Sequence, residues 1–500
     1  MSGGAAAGTL LSVIAGASLL AVTARRLHPN DDLPSLGRWA LADRGLGTVW
    51  TWWLLGGTVF TAYTFTAVPG LVYGNGAPAL FALPYTIIVC PLAFVLLPRM
   101  WAVARRHGHV TAADFVRSRY DSAPLAMVVA LTGILATMPY LALQLLGIRA
   151  VLDVAGISSR GVASDAVMVV IFAGLAVATY RYGLRAPAVI SPLKGVAVFA
   201  SVLAVCWLVL TRLGGPGGVF AAAAARLPST SAHATLVLTP GQQPAFVTLA
   251  IGSALALLMY PHVLTAAFAA SGPAALRRVS IALPVWTACL ALFGFLGIAA
   301  VAADVNTPEH SAEAAVPMLV DRLMPGPLTG LVLGAITVGA LVPAAVMSIA
   351  AATSFVRNVY VEYFHPTATP KRQVRIAKAV SLTAKAGAVA FVFGLRDQDA
   401  VNLQLLGGVW ILQIFPAVAI GLYTARLRPR ALLAGWAAGM VCGTVLVIRH
   451  GFSPVVPLGL PRSPAVYAGL AALLLNLALA VACTAAAEVI GRRSRPARSG

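Results

Sequence analysis

Long apolar stretches, separated by short clusters of basic and turn-forming residues, recur along the whole chain. Residues 45–98 and 227–276 contain no Lys, Arg, Asp or Glu, and shorter charge-free runs lie at 122–148, 167–180, 195–211, 279–303, 323–356, 400–425, 431–448 and 463–487. A helix needs about 20 apolar residues to cross a bilayer, so each of the two long runs holds more than one crossing. With turn signals such as Gly74-Asn75-Gly76 and Gly214-Gly215-Pro216, the pattern predicts thirteen helices. They fall near 8–24, 48–73, 78–106, 123–150, 162–182, 186–212, 244–272, 278–303, 328–362, 374–396, 401–424, 431–449 and 464–489.

Composition agrees with this reading. Of the 500 residues 59% are hydrophobic and 10% charged, against about 25% charged in an ordinary soluble domain. That excludes a soluble enzyme, a disordered chain and a fibrous protein, and leaves an all-α polytopic membrane protein. Cys90, Cys206, Cys289, Cys442 and Cys483 lie singly in apolar stretches, with no CxxC pair or disulfide framework, and read as packing residues.

The net charge of +20 first suggests nucleic acid, but its placement points elsewhere. Alternate connections and the C-terminal tail carry 25 of the 35 basic residues, the opposite connections 8. This is the positive-inside bias, so no nucleic-acid partner is expected. The first apolar segment lacks a basic leader and is followed by Arg25 and Arg26, the charge order of a retained helix with its N-terminus outside. An odd number of spans then puts the C-terminus in the cytoplasm of a bacterial-type plasma membrane. The two remaining basic residues, Lys194 and Lys385, fall inside predicted spans, where an ionisable group marks a functional site by default.

Two segments read as interrupted helices. Residues 50–76 carry Gly56-Gly57 mid-span followed by Thr58, Thr61, Thr64 and Thr66; residues 251–272 carry Gly252-Ser253 and then Tyr260-Pro261-His262. Five helices separate their starts, as a five-plus-five inverted repeat with unwound first and sixth core helices requires. The predicted organisation is a peripheral helix and loop (1–47), two repeat halves (48–212 and 244–424) joined by an external loop (213–243), two peripheral helices (425–490) and a basic tail (491–500).

Several blocks, in order, resemble the sodium:solute symporter family: Thr51–Gly76 ending in PGLVYGNG, TAADFVRSRY (111–120), YGLRAP (182–187), YPHVL (260–264), AAVMSIAAATSFVRNVY (344–360) and QIFPAV (413–418). GLRAP followed by Lys194, and the VPAAVMSIAA stretch, are similar to its bacterial monocarboxylate-uptake branch. The resemblance covers roughly residues 8–425 and implies an inverted-repeat transporter. It also implies a sodium site made of backbone carbonyls, here Gly57 and Phe60, and two hydroxyls. The positions for those hydroxyls hold Val342 and Pro343, and the family's Thr-Asp on the fifth core helix is Ile190-Ser191, with Lys194 three residues beyond. Sodium prefers oxygen ligands; three donors are missing and an ammonium stands nearby. Either Lys194 replaces the ion and couples a proton, as in some sodium-independent transporters of similar fold, or it is a fixed counter-charge for the substrate carboxylate or a lysine snorkelling to the cytoplasmic face. A cage formed from Ser348 or Ser191 is the alternative for sodium.

By the same resemblance Tyr63, Thr64 and Tyr260 face the substrate cavity, although aromatic packing serves equally for the tyrosines. His262 either donates to a carboxylate, gates the cavity or is a structural histidine. Gln404 and Gln413 are polar groups in an apolar run, with interhelical hydrogen bonding as the plain alternative. Lys385 snorkels, pairs with a carbonyl or takes a part in substrate binding, and Trp50, Trp52 and Trp53 read as an interfacial belt. The candidate substrate-binding residues are thus Thr61, Tyr63, Thr64, Tyr260, His262 and Gln413, and the coupling-ion residues Lys194, Gly57, Phe60 and Ser348. No Ser-His-Asp set, metal-spaced cluster or phosphate loop is present in the sequence, so no enzyme and no organic cofactor is expected. The leading expectation is a secondary active symporter importing a small organic anion, a monocarboxylate such as lactate or pyruvate, coupled to a proton or to sodium. The alternative is a transporter-like sensor working with a separate signalling partner.

Overall fold

The computed structural model describes residues 2–27, 35–157, 179–230, 234–308, 311–394, 400–457 and 464–493, with isolated helical positions between 167 and 177. The helices are α1 (Ser2–Leu27), α2 (Leu36–Leu41), α3 (Thr48–Val59), α4 (Val68–Asn75), α5 (Ala82–His107), α6 (Ala112–Tyr120), α7 (Ala123–Val154), α8 (Arg185–Arg212), α9 (Gly215–Thr230) and α10 (Gln243–Leu257). They continue with α11 (Pro261–Phe268), α12 (Pro273–Ala282), α13 (Pro284–Ala302), α14 (Ala315–Leu323), α15 (Gly326–Phe355), α16 (Pro370–Gly394), α17 (Ala400–Ile411), α18 (Pro429–Arg449) and α19 (Ala468–Arg493).

Among the described residues, eight helices are long and apolar enough to cross a membrane, or up to ten when each of two bent pairs counts as one span. The predicted segment 374–396 is helical as far as Gly394, in a helix whose first turns carry Lys371, Arg372, Arg375 and Lys378, and its last two positions lie outside the described residues. The predicted segment 162–182 lies largely outside the described residues.

Within a bilayer, lipid tails compete with apolar side chains, so close packing of small residues holds helices together. The central helix α15 shows this: its most apolar window is buried along its whole length. A Cβ on Gly330 would meet the Ala6 carbonyl oxygen, and one on Gly334 would meet Val13 at 2.7 Å, so α1 lies directly on its backbone. In contrast, the spans of α1, α18 and α19 are only 28%, 33% and 28% buried and form the outer edge.

The connections hold more structure than their composition suggests. The 213–243 segment, expected as an external loop, contains α9, and the segment before α15 contains α14. Val455–Pro457 and Ala465–Tyr467 pair as a short antiparallel hairpin, a small departure from an all-α chain. On the face that the charge bias assigns to the cytoplasm, Thr111 and Asp114 form a capping box at the start of α6. The Asp114 carboxylate also accepts from Asn358 (2.8 Å) and Arg357 (3.3 Å), tying α6 to the end of α15.

Candidate functional site

The two predicted interruptions are real bends. The α3 axis turns by 54° before residues 63–75, and α10 turns by 48° before α11. In the second, Pro261 opens the new helix, where a missing N–H is harmless, and Tyr260 is extended. In the first, the break is not at the glycine pair. Gly56 and Gly57 are helical, and the chain leaves the helix at Phe60 (φ −92°, ψ 102°), re-entering through a π-helical turn at Tyr63–Ala67. The glycines serve close approach instead. A Cβ on Gly56 would overlap the Trp286 indole, and one on Gly57 would touch Ser191 Oγ at 3.4 Å and Lys194 Cδ at 3.7 Å.

A broken helix in an apolar interior must satisfy the backbone groups it frees. Two side chains do so here. Lys194, fully buried on α8, donates from Nζ to the carbonyl oxygens of Gly57 (2.5 Å) and Phe60 (2.8 Å). Its ammonium also lies 5.4 Å from the Phe65 ring centroid, within cation–π range. Gln144 on α7 accepts from the Ala62 N–H at 3.0 Å. The carbonyl pair that the family resemblance assigns to sodium is therefore taken by the amino group of Lys194. The surrounding residues do not complete an oxygen cage: Ser191 Oγ donates to the Pro187 carbonyl of its own helix, and Val342 packs with Ile190, Val338 and Ala186.

Next to this seat lies an aromatic cluster. The rings of Tyr140, Tyr260 and His262 stand 5.2–5.3 Å apart, centroid to centroid, all fully buried. Both ring nitrogens of His262 and Gln404 Oε1 have no hydrogen-bond partner in the protein, and the hydroxyls of Tyr63 and Tyr140 lie against Tyr85 and Thr61. Most buried polar atoms in native proteins are paired, so unpartnered nitrogens on His262, beside the second helix break, make this cluster a candidate polar site. Gln144 ties the two centres together, because its Nε2 donates to the Tyr140 carbonyl while its Oε1 holds Ala62. Thr61 and Thr64 are buried in the same break, and Thr61 Oγ1 accepts from the Tyr63 N–H.

Two candidates sit elsewhere. Gln413 is engaged with Val409, Gly469 and Asn476, the last on peripheral α19. Ser348 donates to the Ala345 carbonyl and accepts from Ser381, which in turn accepts from Lys385 at 3.0 Å; Lys385 also donates to Thr179. Lys385 is thus neither snorkelling nor carbonyl-paired but held by hydroxyls. Of the tryptophans, Trp50 is exposed as a belt residue would be, whereas Trp52 and Trp53 pack inward on Trp286. Tyr140 and Gln144 escaped the sequence reading. Their signal was present: two polar residues one turn apart, after Pro139, in an otherwise apolar helix.

The segment before α14 packs on the second half of the broken helix, where a Cβ on Gly70 would meet the Ala312 carbonyl at 2.6 Å. Beside them a cavity of about 660 Å³ is lined by Asp153, Asp304, Asp321 and Arg322. Among the described residues, no group of three or more His, Cys, Asp or Glu is arranged to hold a metal ion.

Comparison with known proteins gives the family and the fold. The chain is 43% identical over 469 residues to a monocarboxylate transport permease protein of Rhizobium johnstonii, covering 94% of each. It is 30% identical to an uncharacterized symporter of Bacillus subtilis, covering 83% of each. Its fold matches that of a Na+-coupled sialic acid symporter in a substrate-bound outward-open state, with a TM-score of 0.78, 14% identity and coverage of 96% of this chain and 97% of that one. A second match is Mhp1, a nucleobase-cation-symport-1 family transporter, with a TM-score of 0.54, 13% identity and coverage of 94% and 97%. The sodium:solute symporter family model matches residues 39–439. The chain therefore belongs to the sodium:solute symporter family and is a membrane-spanning transporter, not an enzyme.

Proposed function

We propose that this protein imports a small monocarboxylate of the lactate and pyruvate class across a bacterial cytoplasmic membrane by alternating access, and that Lys194 stands in for the coupling sodium ion. The observation that carries the reading is the pair of hydrogen bonds from Lys194 Nζ to the Gly57 and Phe60 carbonyls across the helix break. A buried ammonium has substantial desolvation to offset, and these two carbonyls are good acceptors only while the break keeps its present shape. Loss of the proton removes one reason for that shape. Protonation of Lys194 and the geometry of the break are then linked, which is what coupling a proton to a conformational cycle requires.

Substrate fits the aromatic cluster. Tyr63 OH, Tyr140 OH and a ring N–H of His262 offer donors to a carboxylate, and the surrounding rings suit a short apolar tail. The relative named as a monocarboxylate permease supports the same class.

The test is uptake of labelled lactate and pyruvate into proteoliposomes, with and without sodium and with and without a pH gradient. The expected result is accumulation driven by an inward proton gradient in sodium-free buffer. Accumulation that requires sodium and ignores the pH gradient would refute the role of Lys194.

A further inference from the structure

A narrow cleft of about 20 Å³, room for roughly one water, lies between α11 (Pro261, Leu264, Phe268) and the segment Val110–Ala113. It runs from Met259 and Pro261 at the second helix break to Val110–Ala113, on the side that the charge bias assigns to the cytoplasm. Arg44 lies behind Phe268, one of its lining residues. Nη2 of Arg44 donates to the His109 carbonyl at 2.5 Å, and the guanidinium lies 5.8 Å from the Phe268 ring centroid. Nη1 is buried and has no hydrogen-bond partner. His109 is 6% exposed, and its Nδ1 is also unpartnered.

The nearby carboxylates are committed elsewhere. Asp114 accepts from the Val110 and Thr111 N–H groups, from Asn358 and from Arg357, and Asp43 pairs with Arg38 at 3.2 Å. The other charged neighbours of Arg44 and His109 are cationic, Arg105 beside Arg44 and Arg357 beside His109, and the ring of His107 stacks on that of His109. Burial, and next Arg105, push Arg44 below the usual arginine range, although an arginine stays charged. Burial holds His109 below the ordinary histidine value, with Asp114 pulling the other way, so it is a neutral ring with one N–H to give.

The backbone presenting Arg44 is unusual as well. Ala42, Asp43 and Arg44 have φ of 48°, 61° and 56°, three consecutive non-glycine residues in a left-handed conformation that L-residues avoid. Such outliers concentrate where function needs a side chain aimed in one direction.

We propose that Arg44 and His109 form a release site for the substrate carboxylate at the cytoplasmic mouth. As the cleft widens, a carboxylate leaving the central cluster pairs with the Arg44 fork and the His109 N–H before it enters the cytosol. An arginine fork matches a carboxylate through two parallel hydrogen bonds. The inference rests on the reading of the protein as a monocarboxylate transporter.

The experiment is lactate exchange by the full-length protein in oriented proteoliposomes, with internal and external lactate varied separately. Arg44→Gln should raise the half-saturating concentration on the cytoplasmic side tenfold or more and change the external value by less than twofold; Arg44→Lys, which lacks the fork, should fall between. His109→Ala should shift the same side by a smaller factor, and carries the test if the Arg44 variants fail to insert. Equal shifts on both sides, or none on the cytoplasmic side, would overturn the site in an otherwise active transporter. A sided shift that vanishes when anionic phospholipid is omitted would also overturn it, by assigning Arg44 to a lipid phosphate. A wild-type protein that carries neither lactate nor pyruvate would overturn the underlying reading and this site with it.

Discussion

Replacing Lys194 separates stability from coupling. In Lys194→Met the side chain keeps its length and apolar stem, but the Gly57 and Phe60 carbonyls lose their donor. A hydrogen bond to a charged group contributes about 1.5–3 kcal/mol, so two amount to roughly 3–6 kcal/mol. Against this, removing an ammonium from the apolar interior relieves on the order of 3 kcal/mol by insertion scales. The difference, about 0–3 kcal/mol of destabilisation, is within what a large bundle tolerates, so the variant should insert and purify with only a modestly lowered melting temperature. Its uptake should nonetheless fail. Lys194→Ala should likewise lose concentrative uptake and its pH dependence. Lys194→Arg retains the charge but cannot deprotonate, so it should bind substrate without accumulating it against a gradient. The assay is pH-driven lactate uptake in sodium-free proteoliposomes, with the melting temperature of each purified variant as the folding control. Full pH-driven accumulation by the Arg variant would refute proton coupling at Lys194, and normal transport by the Ala or Met variant would refute any functional role.

Three further outcomes follow from the same geometry. Gly57→Leu pushes a branched side chain against Ser191 and the Lys194 stem and should abolish uptake without preventing membrane insertion; Gly56→Ala, aimed into the Trp286 indole, should destabilise by about 1–3 kcal/mol through overpacking, read as a lower melting temperature. Tyr140→Phe and His262→Ala each remove one donor to the carboxylate, about 1.5–3 kcal/mol, and should raise the half-saturating lactate concentration by roughly 10- to 150-fold; unchanged values would place the substrate elsewhere. The charge bias predicts an external N-terminus and a cytoplasmic C-terminus, so a cysteine placed in 371–375 should resist an impermeant thiol reagent applied from outside, and labelling there would reverse the orientation.

Much of the architecture is a one-dimensional property. A bilayer demands long apolar runs, and basic residues sort to one side, so spans and their expected orientation can be read from spacing and charge alone. Pro261 marks the second break because proline acts on the backbone locally. Lys194 stands out for a similar reason, since a lysine in an apolar run is conspicuous wherever it points.

What joins these residues was not local. Lys194 meets its carbonyl partners across 137 and 134 positions of sequence, and Gln144 reaches Ala62 across 82. The first break is at Phe60 rather than at the glycine pair, because Lys194 and Gln144 can satisfy the groups freed there, while Gly56 and Gly57 are needed to admit Trp286 and Lys194. Ser348 looked like an ion ligand by its hydroxyl, yet packing gave that hydroxyl to the Ser381–Lys385 chain. Hydropathy determines which segments enter the membrane; it carries almost no information on which polar atoms meet inside. Those pairings depend on the rotation and depth of each helix, set by close contacts such as α1 against Gly330 and Gly334, and only the packed structure decides them.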